Sequence, residues 1–197
     1  MNIGILCYPT YGGSGVIATE LGKALAVKGH TIHFISYNQP VRLDTFNENI
    51  FFHEVRFNNY PLFKFPPYET VLTSKIVDVV KNHNLDVLHV HYAIPHAAAA
   101  AMAKNILKKM GIKIKIVTTL HGTDITLVGK DKSFEPVVSH SLFESDVVTA
   151  VSNSLKNETH KYFNYDGEIN VVPNFIDFQR FNRIPKDDFK NMIVPNN

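Results

Sequence analysis

Strand-like and helix-like segments alternate along most of this chain of 197 residues. Short apolar runs rich in β-branched residues are typical of buried strands, and the runs between them repeat apolar residues at helical spacing. Strands are predicted over 2–7, 31–36, 51–56, 87–91, 114–119, 147–151 and 169–172. Helices are predicted over 16–26, 68–83, 95–110, 134–145 and 153–163. This alternation predicts an α/β fold with a Rossmann-like, doubly wound parallel sheet and right-handed crossovers.

Composition and charge narrow the class of protein. The chain is 45% hydrophobic and 19% charged, which is ordinary for a soluble globular protein. A formal net charge of +2 argues against a dedicated nucleic-acid binder. The single cysteine, Cys7, excludes an internal disulfide. No signal peptide and no apolar run long enough to cross a bilayer stand out, so the expectation is a soluble cytoplasmic protein.

The strand–helix pattern weakens after Pro173. Residues 174–197 complete no further element and are typical of a connector. The expected organisation is therefore an N-terminal Rossmann-like domain over 1–173, followed by a connector over 174–197 toward a domain that is not in the chain.

A glycine-rich turn lies between the first predicted strand and the first predicted helix. Its residues are Gly12-Gly13-Ser14-Gly15. Glycine lets backbone approach a ligand closely, and the free N–H groups and dipole of a helix start favour negative charge. Nucleotide phosphate is the first ligand to consider. The spacing matches neither the dinucleotide fingerprint nor a Walker loop, so a tight turn without a ligand stays the alternative.

Polar side chains follow four of the predicted strands at their carboxyl ends, where open α/β sheets bind ligands. They are Gly12–Gly15, His89–Tyr92, Thr118–Asp124 and Ser152–Ser154. All four groups fall on one predicted edge of the sheet. This coincidence indicates a ligand site more strongly than any one motif does.

Histidines dominate this edge. His121 is the leading candidate for chemistry because Gly122 lets a ligand approach beside it, and a loop histidine bonded to its own backbone is the alternative. Thr123 and Asp124 are expected either to start a helix or to orient the imidazole. His89 and His91 share a strand face, which suits a metal pair or core histidines satisfied by neighbours. No third ligand has clear metal-site spacing, so no metal is assigned.

Tyr92 is either a core aromatic with its hydroxyl at the surface or a ligand to a carboxylate. The chain has no G-x-S-x-G elbow and no cysteine–histidine pair in a nucleophile's context, which disfavours a covalent hydrolase. No carboxylate pair stands out either.

Four sequence strings together resemble a known family. They are Tyr8–Gly15, His91–His96, Thr118–Asp124 and Asn174–Asp177. The chain resembles the N-terminal half of retaining glycosyltransferases of family 4 with the GT-B fold, and the resemblance runs essentially end to end. It is most similar to the members that transfer N-acetylglucosamine from UDP-N-acetylglucosamine to the hydroxyl of L-malate, the first step of bacillithiol synthesis.

The resemblance implies that two separate domains bind the acceptor and the donor, and that no metal or other cofactor takes part. The domain over 1–173 would bind the acceptor, and the connector would lead to an absent donor-binding domain, so the chain alone is expected to be inactive. Gly13, Ser14 and Gly15 would approach the donor pyrophosphate and the acceptor. Ser14, Tyr92 and Thr119 would bind the malate carboxylates.

The remaining implied site residues lie around the transferred sugar. His121 would sit beside the sugar as the catalytic residue and help to place it. Asn153 and Asn174 would lie at the edge of the cleft. Thr10-Tyr11 departs from the smaller residues of related sequences and would narrow the mouth of the site.

Two other functions stay open from the sequence. One is a related transferase with another acceptor, such as a different hydroxy acid or a lipid; only Lys64 accompanies the aromatics Phe63 and Phe65, so a membrane surface is a weak fit. The other is a stand-alone ligand-binding domain. The oligomeric state is open as well, a homo-oligomer included.

Overall fold

Seven parallel strands form one sheet in the order β3-β2-β1-β4-β5-β6-β7. The computed structural model describes residues 1–43, 47–57, 61–128, 131–178 and 181. The strands are β1 (Asn2–Leu6), β2 (Thr31–Ser36), β3 (Ile50–Glu54), β4 (Val87–His91), β5 (Lys115–Leu120), β6 (Val147–Ala150) and β7 (Ile169–Val171). The predicted Rossmann-like, doubly wound parallel sheet is confirmed.

Six α-helices and one wide turn connect the strands in the described ranges. The helices are α1 (Gly13–Val27), α2 (Tyr68–His83), α3 (Ala98–Lys109), α4 (Thr123–Thr126), α5 (Glu135–Glu144) and α6 (Asn153–Tyr162). The wide turn covers Ala93–Ala97 and leads directly into α3. No helix in these ranges is both long and apolar enough to span a membrane.

Successive strand residues point to opposite faces of the sheet, and each face has its own core. Ile5 and Phe34 lie in the core under α1. Leu6 and Ile35 lie in the core under α2 and α3. A third core is formed by Leu120 together with residues of β6 and α5. The packing of helices on both faces leaves the carboxyl edge of the sheet for the loops that follow β1, β4, β5 and β6.

Two predicted helix starts were wrong by three residues each, for different reasons, and the other helix bounds differ by at most one residue. Helix α1 begins at Gly13 and not at residue 16, so the glycine-rich turn is mostly the first turn of the helix. The helix predicted over 95–110 starts at Ala98, because Ile94 has extended backbone (φ −130°, ψ 140°) before Pro95. The residue before proline avoids helical geometry, and proline itself has no N–H to donate.

The predicted connector over 174–197 is only partly described. Residues 174–178 and 181 belong to the described part of the chain, and the others lie outside it. The domain boundary at 173 therefore stays a prediction.

Candidate functional site

The carboxyl ends of β1 and β4 lie side by side at the point where the strand order reverses. The chain leaves β1 toward β2 on one side and leaves β4 toward β5 on the other. Open α/β sheets bind ligands in the crevice that forms at such a point. The glycine-rich start of α1 follows β1, and Tyr92 follows β4, so two of the predicted ligand-binding segments flank this crevice.

Helix α1 begins without a side-chain cap. Gly12 is the N-cap residue and supplies no side-chain acceptor, and the first backbone bond runs from the Val16 N–H to the Gly12 carbonyl oxygen at 3.2 Å. The N–H groups of Gly13, Ser14 and Gly15 therefore have no partner within the helix. Together with the positive end of the helix dipole, they can bind an anion.

The two glycines of this first turn have different physical roles. A Cβ on Gly15 would lie 2.5 Å from the carbonyl oxygens of both Tyr8 and Thr10, so only glycine lets the helix start pack against the preceding loop. A Cβ on Gly13 would meet no atom within 4 Å. Gly15 thus allows the start of α1 to pack against the preceding loop, while Gly13 leaves open space for a ligand. Ser14 lies between them and is buried.

Three histidines, His89, His91 and His121, form a contiguous stack and are called the site histidines below. The ring centres of His89 and His91 are 4.6 Å apart, and those of His91 and His121 are 5.1 Å apart. The Nδ1 atom of His91 lies 2.8 Å from Nε2 of His121. The ring of His121 is therefore bonded to a neighbouring histidine, and not to its own backbone as one alternative proposed.

The hydrogen bonds assign the protons on these rings. Nδ1 of His96 donates to the carbonyl oxygen of His91 at 2.8 Å, because a carbonyl can only accept. Nε2 of His91 is buried and has no partner among the described residues. Orphaned buried donors are rarer than orphaned acceptors, so we assign the His91 proton to Nδ1, which donates to His121. A neutral His121 then carries its own proton on Nδ1.

All three site histidines are neutral near pH 7. Burial lowers the pKa of His89 and of His121 to about 4, and His89 adds to the effect on His121. Burial and the neighbouring imidazoles hold the pKa of His91 well below its usual range. His121 is consequently suited to donate a hydrogen bond without carrying charge.

Tyr92 and Asp124 hold this arrangement in place. Tyr92 has a left-handed φ of 86°, which is costly for a non-glycine residue, and its ring stacks on His121 with the ring centres 5.6 Å apart. Asp124 is 1% exposed and accepts backbone N–H groups of Ala93 at 3.0 Å, Gly122 at 2.9 Å and His121 at 3.3 Å. Burial raises the pKa of Asp124, and these N–H groups oppose that shift.

The role of Asp124 is therefore more specific than the sequence indicated. It lies in the first turn of α4 and binds the backbone of the segments that follow β4 and β5, whereas the prediction had it start a helix or orient an imidazole. The sequence did offer a signal for this role: Asp124 lies two residues after Gly122, at the start of a helix. A carboxylate at a helix start accepts hydrogen bonds from the free backbone N–H groups there.

Two cavities meet this site. The larger, about 730 Å³, has a mainly apolar lining and includes Tyr8, Tyr92, Asp124 and Met102. The smaller, about 130 Å³, brings together His89, His91, Thr119, Thr149 and Asn174 among others. Tyr92 stacks on His121 and also lines the larger cavity, so it lies between the site histidines and the apolar space.

The structure brings some predicted residues together more closely than others. The Thr119 hydroxyl is 2.8 Å from both His89 Nε2 and the Thr149 hydroxyl. A hydroxyl has one donor and two acceptor sites, so these two partners leave one site for a ligand. Asn174 is exposed and lines the smaller cavity. Asn153 is exposed at the start of α6, and it lines neither of these two cavities.

The comparisons with known proteins agree with this fold. The chain belongs to glycosyltransferase family 4, whose family model matches residues 11–180. It is 54% identical over 177 residues to the N-acetyl-alpha-D-glucosaminyl L-malate synthase of Bacillus anthracis. That alignment covers 90% of this chain and 46% of the relative.

Solved structures share the architecture. An Anabaena protein, HepE, crystallised with UDP and glucose, has a TM-score of 0.71 at 15% identity, over 98% of this chain and 50% of that one. A glycosyltransferase from Rickettsia africae has a TM-score of 0.65 at 22% identity, over 100% of this chain and 50% of that one. At these identities the likeness concerns the fold, which is that of one half of a GT-B glycosyltransferase. The chain spans about half the length of the relatives it matches.

Proposed function

We propose that this chain is the acceptor-binding half of an enzyme that transfers N-acetylglucosamine from UDP-N-acetylglucosamine to the hydroxyl of L-malate. The single observation that carries the proposal is the 54% identity over 90% of the chain to the malate synthase of Bacillus anthracis. The new bond joins the malate oxygen to the anomeric carbon, the departing UDP takes the electron pair of the broken bond, and the malate hydroxyl proton is released. The configuration at that carbon is retained, and the reaction opens bacillithiol synthesis.

The start of α1 is the proposed binding site for the anionic groups. Its uncapped N–H groups at Gly13, Ser14 and Gly15 suit the donor pyrophosphate, and the open space at Gly13 admits it. Donors that are fixed before the reaction stabilise charge as it develops on the leaving group. This role needs no side chain, which fits the glycine-rich sequence.

His121 is the proposed catalytic residue, with Tyr92 beside it. A neutral imidazole with its proton on Nδ1 can donate a hydrogen bond to a sugar hydroxyl without repelling or attracting the phosphates. The bond from His91 fixes the ring at Nε2, and the Tyr92 ring covers one of its faces. Tyr92, Ser14 and Thr119 are the proposed malate ligands in this chain.

The second half of the protein is proposed to supply most of the donor site and the cations that an acidic acceptor requires. This proposal rests on the length of the chain, which covers 46% of the Bacillus anthracis relative. We therefore expect this chain alone to fold and to bind malate weakly, with no sugar transfer. A UDP-release assay that compares the chain with the longer protein tests this; release by the chain alone would contradict it.

The substrate proposal is tested with the longer protein and a panel of acceptors. L-malate, D-malate, L-lactate and succinate, which lacks the hydroxyl, would each be incubated with UDP-N-acetylglucosamine, and conjugates detected by mass spectrometry. We expect a conjugate with L-malate and none with succinate. The anomeric proton coupling in the NMR spectrum of the product reports retention. Conjugates that form equally with all hydroxy acids would overturn malate as the acceptor while leaving the transferase class intact.

A transferase with a larger, partly apolar acceptor is the second candidate. The observation that favours it is the apolar cavity of about 730 Å³ beside Tyr92, which is far larger than a malate ion needs. A hydroxylated lipid in the same panel tests it. A lipid conjugate formed in preference to malate would make this the better assignment.

A further inference from the structure

Three histidines converge on the other face of the sheet from the site histidines. His33 lies in β2, His53 in β3 and His83 at the end of α2, and they are called the three-histidine cluster below. One ring nitrogen from each lies within 4.8 Å of the other two. Among the described residues, no other group of three or more histidine, cysteine or acidic side chains meets this spacing.

The cluster is separate from the proposed transferase site. Its strand neighbours are Gly4 for His33 and Ile35 for His53, whereas His89 is paired with Ile5, so the two groups lie on opposite faces. The His83 carbonyl oxygen accepts the Asn2 side-chain amide at 3.0 Å, which places the end of α2 at the amino end of β1. The glycine-rich segment follows the opposite end of that strand.

We infer that His33, His53 and His83 bind a divalent transition-metal ion of the zinc class. Imidazole is a preferred ligand for zinc, copper and nickel, and three imidazoles with one further position make a common tetrahedral zinc site. The three ligands come from three different elements, so a bound ion ties the edge strand β3 and the end of α2 to β2.

The distances between the rings suit such an ion. His33 Nδ1 lies 2.9 Å from His53 Nε2, and the His83 ring centre lies 4.6 Å from that of His33 and 4.8 Å from that of His53. Two nitrogens on a tetrahedral zinc ion are roughly 3.3 Å apart, given zinc–nitrogen bonds of about 2.0–2.1 Å. The His33 and His53 nitrogens therefore need to separate by only a few tenths of an ångström to admit the ion. The His83 nitrogen, which lies within 4.8 Å of both, needs to move toward them.

The protonation state of the cluster favours metal binding as well. Burial and the neighbouring imidazoles lower the pKa of His33 and of His53 to about 4. Metal ions bind the neutral form of imidazole, so neither ring has to lose a proton near pH 7. Phe51 stacks on His33 with the ring centres 5.0 Å apart and restricts that ring.

The surroundings offer an entry path and a further ligand. An open cavity of about 550 Å³ lies against His53 and is lined by Glu54, Arg56 and Lys75. The Asp78 carboxylate raises the pKa of His53 and Lys75 lowers it, so both charges are near the ring. Arg56 is already paired with Glu54 at 2.6 Å. A water molecule can take the fourth position, and Lys75 is the charge that opposes the ion. The Asp78 carboxylate, which accepts from the Asn82 side-chain amide at 2.8 Å, supplies a negative charge nearby.

The test is a cobalt titration of the whole chain after removal of metal with a chelator. Co²⁺ stands in for Zn²⁺ because its visible absorption reports tetrahedral coordination. We expect one cobalt ion to bind per chain and Zn²⁺ to displace it. Cobalt affinity should be at least about 100-fold weaker in His83→Gln, because loss of even a hydrogen-bond partner of a metal ligand lowers metal affinity about 10–100-fold. His140→Gln, an exposed helical histidine, is the matched control, and His121→Gln tests the site histidines; both should bind as the parent does.

A second variant guards against a folding artefact. His83→Cys replaces the imidazole with a thiolate, which is also a zinc ligand, and should restore binding with a new near-ultraviolet cobalt–thiolate band. The parent should lack this band because Cys7 is buried. Absence of stoichiometric cobalt uptake by the parent would overturn the inference. So would binding that survives in His83→Gln and is lost in His121→Gln.

Discussion

The site histidines and the three-histidine cluster are both groups of three close imidazole rings, but different contacts hold the rings together. In the first group, hydrogen bonds fix the rings: His89 to Thr119, and His91 to His121. In the cluster, one hydrogen bond joins His33 to His53, and His83 meets both rings through ring contacts. A ring fixed at one nitrogen can present the other as a directed donor, whereas rings that converge can share a cation. The hydrogen-bond partners, more than the residue type, distinguish the two functions.

The largest expected effect follows from removing His121 in the longer protein. His121→Ala should lower kcat by about 10²–10³, the range for losing one preorganised hydrogen-bond donor. His83→Ala, on the other face, should leave kcat within about twofold. Steady-state assays of both variants measure this difference. Equal losses would mean that the two groups do not have separate roles.

The next effect concerns Asp124, which joins the segments that follow β4 and β5. Asp124→Ala removes the acceptor of three backbone N–H groups, of which that of Ala93 is buried, and should lower the free energy of unfolding by about 2–3 kcal/mol. Urea denaturation measures it. Asp166→Ala, in an exposed loop, is the control and should leave the midpoint nearly unchanged. An equally stable Asp124→Ala would show that this carboxylate does not organise the site.

A smaller effect is a change in the pH dependence of stability. Burial lowers the pKa of His96, which bonds to the His91 carbonyl, to about 4. The unfolded imidazole takes up a proton below about pH 6.5, so the free energy of unfolding falls as the pH falls from there to about 4. His96→Asn should reduce this slope by up to about 1.4 kcal/mol per pH unit. An unchanged slope, with His140→Gln as the control, would contradict the neutral state assigned to His96.

The smallest effect tests the hydrogen bonds that distinguish the two groups. Thr149→Val removes the hydroxyl that partners Thr119 and should cost about 1 kcal/mol of unfolding free energy. Thr31→Val, a half-buried threonine at the start of β2, is the matched control and should cost less. If the two variants are equally stable, the Thr149 hydroxyl does not support the site histidines through Thr119.

The fold could be predicted from local pattern because each element agrees with its own periodicity. The ranges 31–36, 68–83 and 87–91 match β2, α2 and β4 residue for residue. The start of α1 could not be predicted from local pattern, because glycine is a poor helix former. The first turn of α1 depends on the packing of Gly15 against the carbonyl groups of Tyr8 and Thr10. That contact appears only in three dimensions.

The same limit applies to the sites. The polar edge followed from strand ends alone, since parallel strands bring those ends together. The three-histidine cluster was missed because it depends on the register of β2 against β3 and on where α2 ends. Thirty residues separate His53 from His83, and no spacing rule joins them. The bond between His91 and His121 likewise depends on the pairing of β4 with β5.

The most direct test of the central claim maps malate onto this chain by NMR. Amide shifts would be followed during titration of the isotopically labelled chain with L-malate, with succinate as the comparison ligand. We expect shifts concentrated at Gly13–Gly15, Tyr92 and Thr119–Gly122, at the carboxyl edge, and weaker shifts with succinate. Shifts centred on His33, His53 and His83, or none at millimolar malate, would contradict an acceptor site at this edge.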